Sequence, residues 1–317
     1  MTVSRALRNH PEVSPVTAER LRKIARSLGY TPNPLVSVLM ENVRRGGRDT
    51  ASVNLAFLHS GPARGYWKTL PHYRELFSGA KTRAAELGFG LETVWLDDPS
   101  VPPATLLRLL HARGVHGLVI GPVFRPEITL DLSSFAVVAT GLSLKSPAVH
   151  RVATNQQAAI QIAVEHLQKT GRRRTGFILG QNTDRRYDHQ WLGAAWAEYH
   201  ARPPHQRVPP LLLSGDRHFA RIGLWLRRHH PDSLLITDDI IAEIVREHIP
   251  DKTPAMVNLL WEEGRSTVPG LARDRVRIGA SAINMLATML ARNERGVPSS
   301  AELLLVAPRW VEPLAST

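Results

Sequence analysis

The sequence predicts an α/β protein in which two parallel-sheet units of similar build stand back to back behind a short basic head. Three observations carry this. From Ser52 onward, short apolar runs alternate with amphipathic stretches, the pattern of β-α-β units whose sheet is covered on both faces. The alternation comes in two successive sets. The first 48 residues hold a separate set of helix signals with their own charge bias: nine basic side chains against three acidic ones.

In the head, residues 14–28 form the most completely marked helix. Ser14 is placed to cap, Pro15 suits the first turn, Leu21, Ile24, Ala25 and Leu28 recur at helical spacing, and Gly29 ends it. The preceding TVSRALRN puts Val3, Ala6 and Leu7 on one side and Thr2, Ser4, Arg5, Arg8 and Asn9 largely on others, a short amphipathic helix with a cationic outer surface. His10-Pro11 breaks it, because the residue before proline is pushed out of the helical region. Arg44-Arg45-Gly46-Gly47-Arg48 reads as a flexible basic linker.

In the body, the first set runs SVNLAFL, a helix over about 72–88, LETVWL, a helix near 103–113, then GLVIGP and FAVVAT. The second runs from a helix over about 155–170 through TGFILG, a helix near 187–200, LLLS, a helix near 217–229, SLLIT and a helix from about 239 to AMVNLL.

Composition narrows the function classes. At 317 residues with 43% hydrophobic and 21% charged side chains, the chain has room for two or three cores. No apolar run reaches the roughly 18 residues needed to cross a bilayer, and MTVSRALRNH lacks the apolar core of a signal peptide; a cytoplasmic protein without membrane partners is expected. The absence of cysteine excludes disulfides and thiolate metal sites. Half of the net charge of +12 lies in residues 1–48, which suits either a polyanionic partner or a solvated basic surface.

The stretch TVSRALRNHPEVSPVTAERLRKIARSLGYTPNPLVSVL closely resembles the second helix, third helix and hinge of headpieces in the lactose-repressor (LacI/GalR) family. T-V-S-R-A-L, V-S-P, L-G-Y and P-N-P follow in order without gaps. The resemblance implies a partial helix-turn-helix headpiece in residues 1–48, with TVSRAL as the recognition helix in the major groove of double-stranded operator DNA. Arg5 is then the expected base reader, since its fork can bond guanine O6 and N7 together. Thr2, Ser4 and Asn9 are expected on phosphates, and Arg8 in either role. In the hinge, Asn33 matches a polar contact and Leu39 a wedge between base steps in the minor groove; Leu35, Val38 and Leu39 equally suit the packing of two hinges in a homodimer. Family members carry a further helix and turn before TVSRAL, so the true start is expected upstream of Met1.

The body resembles the family's regulatory domain in G-A-K-T-R-A-A-E-L-G-F, A-R-G-V-H-G-L-V-I-G-P, E-H-L-Q-K-T-G-R-R-R-T-G-F-I-L-G and R-N-E-R-G-V-P. This implies a two-lobed, periplasmic-binding-protein-like regulatory domain over 49–317, with lobe 1 at about 51–153 and 275–306 and lobe 2 at about 154–274 and 308–317. A small-molecule effector, sugar-like or another metabolite, is expected between the lobes at the carboxyl ends of the strands. The candidates are His59, Ser60, Tyr66, Trp67, Tyr73, Gln190, Asp239 and Trp261, with Asp239 matching the family's acidic D-x-x-A residue; core packing suits each aromatic as well. Gln190 stands where many members carry a pocket arginine, Arg185 and Arg186 are out of register, and Thr154 replaces a usual aspartate. Those departures put a typical sugar or purine in doubt.

No P-loop, G-x-S-x-G or H-E-x-x-H occurs, so neither an enzyme nor a cofactor is expected. His229-His230 reads as a solvated helix end rather than a metal site, and Arg172-Arg173-Arg174 as an exposed turn. An exported solute-binding protein would need a leader. The remaining alternative is a sensor that does not bind DNA by itself.

Overall fold

The computed structural model describes residues 14–27, 53–215 and 220–312. In the head it shows one helix, α1 (Pro15–Ser27), whose first turn is capped as its sequence predicts: the Thr17 amide donates to Ser14 Oγ at 3.3 Å. Thr2, Ser4, Arg5, Arg8, Asn9, Asn33 and Leu39 lie outside the described residues.

The body holds two six-stranded sheets. The first is built from β1 (Asn54–His59), β2 (Gly90–Trp95), β3 (Val115–Ile120), β4 (Ala136–Thr140), β5 (His150–Thr154) and β11 (Leu303–Val306). Its order is β11-β5-β4-β3-β1-β2, parallel throughout. The second takes β6 (Thr175–Gly180), β7 (Leu211–Leu213), β8 (Ser233–Ile236), β9 (Ala255–Asn258), β10 (Gly270–Ala272) and β12 (Arg309–Val311). Its order is β12-β10-β9-β8-β6-β7, with only β12 antiparallel. The chain passes between sheets three times: after β5, after β10 and after β11.

Helices cover both faces of each sheet. On the first, α2 (Pro71–Glu86) and α9 (Arg275–Arg292) share one face and α3 (Pro103–Ala112) takes the other. On the second, α4 (Gln156–Lys169) and α6 (Gln190–Ala201) share a face opposite α7 (Ala220–His229) and α8 (Asp239–His248). Burial on both sides explains why strands such as Ala136–Thr140 are apolar without alternation.

The sequence pattern and the structure part company in a few places. The helix expected near 187–200 is α6, and a further short helix, α5 (Gln181–Arg186), precedes it, the two separated by Asp188 and His189 at φ 54° and 58°. Buried Asp184 holds this break, with its Oδ1 accepting from the Leu192 amide at 3.1 Å and its Oδ2 lying 2.8 Å from His189 Nδ1. Strands β10 and β12, three residues each, fall below the length of about four residues at which alternation is readable. Of the three consecutive arginines, Arg172 and Arg173 are exposed, whereas Arg174 donates to the carbonyl oxygens of His205, His229 and His230 and ties off the end of α7.

One contact sets the position of α9. At Gly79 of α2 and Gly279 of α9 the two helices meet backbone to backbone: a methyl group on Gly79 would overlap the Val276 carbonyl, and one on Gly279 the Leu76 carbonyl. Around this crossing Leu76, Ala80, Ile278, Ala282 and Ile283 pack into one core. Replacing Gly279 by alanine gains about 1 kcal/mol of helix propensity but forces an overlap costing about 1–3 kcal/mol or more, because neither partner is a flexible side chain. A net destabilisation of about 1–2 kcal/mol is expected for Gly279→Ala in urea unfolding, and likewise for Gly79→Ala; unchanged or raised stability would refute the close crossing.

Candidate functional site

Each sheet reverses its strand order beside its first strand, between β1 and β3 and between β6 and β8. Ligands bind outside the carboxyl ends at such points. The two sets of carboxyl ends face one another across a cleft of about 480 Å³. Pro122, Gly141 and Thr154 line it from the ends of β3, β4 and β5, and Thr237 and Asn258 from the ends of β8 and β9.

Asp239, at the start of α8, lines this cleft. Its Oδ2 accepts from Asn258 Nδ2 at 2.8 Å and Ser266 Oγ at 2.9 Å, and its Oδ1 accepts from the Thr267 amide at 3.1 Å. The carboxylate thus fastens the loop after β9 to α8, and its neighbour Asp238 caps the helix by accepting from the Ile240 amide at 3.1 Å.

The cations come from elsewhere. Arg275, the first residue of α9, is largely buried and reaches both lobes, with Nη1 at 2.9 Å from Glu75 Oε2 of α2 and Nη2 at 3.2 Å from Glu262 Oε1 of the second lobe. Arg273 donates to the Tyr187 hydroxyl at 3.1 Å and stands 3.8 Å from Glu262, while Arg265 takes the other oxygen of Glu262 at 3.3 Å. Burial presses the pKa of Arg273 below its ordinary value, with Arg275 adding to the effect. Two further contacts join the lobes: Arg186 Nη2 donates to the Val123 carbonyl at 3.4 Å, and Lys145 pairs with Asp188. His72 faces this group of cations. Burial first, then Arg275, Arg273 and Arg186, lower its pKa to about 4, against the pull of Glu262. Two buried polar atoms of cleft-lining residues have no protein partner: Gln156 Oε1 and Arg273 Nε.

Of the eight effector candidates, Asp239 is the one that lines this cleft. Trp67 and Tyr73 are buried in the core between the first sheet and α2, and the Tyr73 hydroxyl donates to the carbonyl of Pro122 at the cleft rim. His59 is buried beside Trp67, with ring centroids 5.9 Å apart, and desolvation holds its pKa down at about 4. Ser60 donates to Asp97 at 2.5 Å and lines a separate hollow with Asp97, Val123 and Arg125. Tyr66 packs on Phe124 at 5.9 Å. Trp261 lies over Gly270, with its indole nitrogen buried and unpartnered. Gln190 opens α6.

The residues that sequence reasoning passed over are His72, Gln156, Glu262, Arg273 and Arg275, while Arg186, set aside as out of register, lines the cleft. One signal was available. Arg273-Asp274-Arg275 places cations at a helix start, where the macrodipole disfavours them, so carboxylate partners elsewhere in the fold were required. Among the described residues no group of three His, Asp or Glu side chains is arranged to hold a metal, and no helix is long and apolar enough to cross a membrane.

Two parallel-sheet lobes, a threefold crossover and a cleft at the facing carboxyl ends define a two-lobed, periplasmic-binding-protein-like domain. Solved structures share this fold. The lac repressor dimer bound to operator and the anti-inducer ONPF aligns over 98% of this chain and 93% of its own, at 15% identity and a TM-score of 0.54. The transcriptional regulator CelR in complex with cellobiose aligns over 98% and 94%, at 17% identity and 0.54. A periplasmic binding protein/LacI transcriptional regulator from Alkaliphilus metalliredigens QYMF, complexed with D-xylulofuranose, aligns over 82% and 98%, at 14% identity and 0.50. No curated protein matches the chain by sequence. Residues 1–33 match the family model described as bacterial regulatory proteins, lacI family. That match covers the head of the chain alone, and the body shares the fold of these solved structures.

The depressed pKa of His72 has a measurable consequence. The unfolded chain takes up this proton near pH 6.5 and the folded protein only near 4, so stability is full above pH 6.5 and falls as pH drops toward 4. Between pH 7.5 and 5.0 the loss from this group is about 2 kcal/mol. In urea unfolding, His72→Gln should shrink the wild-type drop by about that amount; an equal drop in both proteins would contradict the assignment.

Proposed function

We propose that the protein is a sequence-specific DNA-binding transcription regulator, acting as a homodimer, whose operator affinity is set by a small molecule held between the lobes. The observation that carries this reading is the order of parts: a segment over residues 1–33 that matches the lacI-family model ahead of a two-lobed body with a cleft at its facing carboxyl ends. The solved dimer of the same fold bound to operator and anti-inducer supports it.

The mechanism follows from where the lobes touch. Arg275, Arg186 and Lys145 each bond across the cleft, so a ligand that rearranges these contacts changes the angle between the lobes. Differential binding to the two angles shifts the spacing of the paired heads. Couplings of this kind are typically worth about 1–3 kcal/mol, or about 5- to 150-fold in affinity. Arg5, Thr2, Ser4, Arg8 and Asn9 supply the groove and phosphate contacts, and Asn33 and Leu39 the hinge contacts. Within the body, Asp239 shapes the pocket, and Tyr73 reaches its rim through the Pro122 carbonyl.

Selection from a random duplex library at low salt should enrich a near-palindromic site with half-sites about one helical turn apart. Binding should weaken with salt by about 0.9 log units per log unit for each phosphate contacted. Arg5→Ala should lose about 1–3 kcal/mol of preference at one base of each half-site while keeping most of the salt slope. Failure to enrich any sequence would refute the regulator reading, and unchanged preference in Arg5→Ala would remove that residue as a reader.

A further inference from the structure

At the cleft the carboxylates of Asp239, Glu262 and Glu75 are committed to partners in the protein, whereas two of its arginines, Arg186 and Arg273, keep donors in reserve. Both oxygens of Asp239 accept from the loop after β9. Both oxygens of Glu262 face arginines, and Glu75 is paired with Arg275. A cationic ligand would therefore have to break existing pairs. Arg186, by contrast, makes only a 3.4 Å bond to the Val123 carbonyl. Arg273 bonds the Tyr187 hydroxyl and reaches Glu262 only at 3.8 Å, leaving its Nε buried with no acceptor. Each guanidinium carries five N–H donors and no acceptor, and a buried donor without an acceptor costs free energy that an incoming anion relieves.

Arg186 closes α5 and Tyr187 is the next residue, so the Arg273–Tyr187 bond brings the two arginines to the same wall. His72 lines the same cleft and is held neutral there by burial and by these cations, so it adds no charge of its own. On the α4 side Gln156 is 1% exposed, with Oε1 unpartnered and ready to accept from a hydroxyl or N–H.

We infer that the ligand of this cleft bears an acidic group, a carboxylate or phosphate, received by Arg186 and Arg273, and a hydroxyl or amine that donates to Gln156 Oε1. The inference rests on the cleft being the regulator's effector site. It locates the anion-binding arginines at positions 186 and 273 while position 190 carries glutamine.

The test is calorimetry and thermal-shift measurement on the full chain with inorganic phosphate, acetate, gluconate and glucose 6-phosphate, beside glucose and ribose. At least one acid is expected to bind more tightly than the neutral sugars, and gluconate against glucose 6-phosphate tells carboxylate from phosphate. Arg186→Gln, on an exposed residue, should weaken that acid about tenfold or more, the size of a lost charge-assisted hydrogen bond. Arg273→Gln should do the same while its circular dichroism spectrum stays that of the parent. Binding of a neutral sugar in preference to every acid, acid binding indifferent to both substitutions, or no binding by any acid would each overturn the inference. Operator enrichment is scored on DNA alone, so its failure, which would remove the regulator reading, is distinguishable from a failure here.

Discussion

The position of α9 depends on the absence of two side chains. At Gly79 and Gly279 the backbones of α2 and α9 touch, and any Cβ there would drive the helices apart. Because α9 follows the second passage between sheets, its first turn sits where both lobes can reach it. Arg275 is therefore placed at the junction, buried, at the positive end of a helix dipole. That end disfavours a cation by about 0.3–1 kcal/mol. A buried charge without a partner would cost several kcal/mol more. Glu75 from one lobe and Glu262 from the other offset both penalties, and the Glu262 pair does so only while the lobes hold their present angle.

This junction gives the cleft its character. Glu262 is occupied by arginines from the crossing segment and from its own loop, and Asp239 is turned to the loop after β9. Asp239, the acid that the family resemblance would assign to a ligand, thus serves the frame, while Arg186 and Arg273 line the space between the lobes with donors not fully used. The low pKa of His72 follows first from its burial and then from the same crowding of cations. Structure and electrostatics here have one cause: three passages of the chain bring charged residues together that no single lobe could satisfy.

Much of the fold was legible in the residues because burial writes itself locally. Phe57, Val119, Val138, Phe177 and Leu235 lie in apolar runs that only a sheet covered on both faces explains. Leu106 with Leu110, and Ile241 with Val245, mark helix faces at 3.6-residue spacing. The break between α5 and α6 was less visible, since Asp188 and His189 adopt left-handed backbone only because buried Asp184 holds the turn. Strand β12 depends wholly on a partner, β10, distant in sequence.

The order of apolar runs determined the fold class and the twofold repetition of the body, because each of these is a property of neighbouring residues and their periodicity. The composition of the cleft was decided by tertiary structure alone. His72, Gln156, Arg186, Glu262 and Arg275 span two hundred positions and become neighbours only through three chain crossings and one glycine-to-glycine contact, and electrostatic partnership depends on distance in space rather than on distance along the chain.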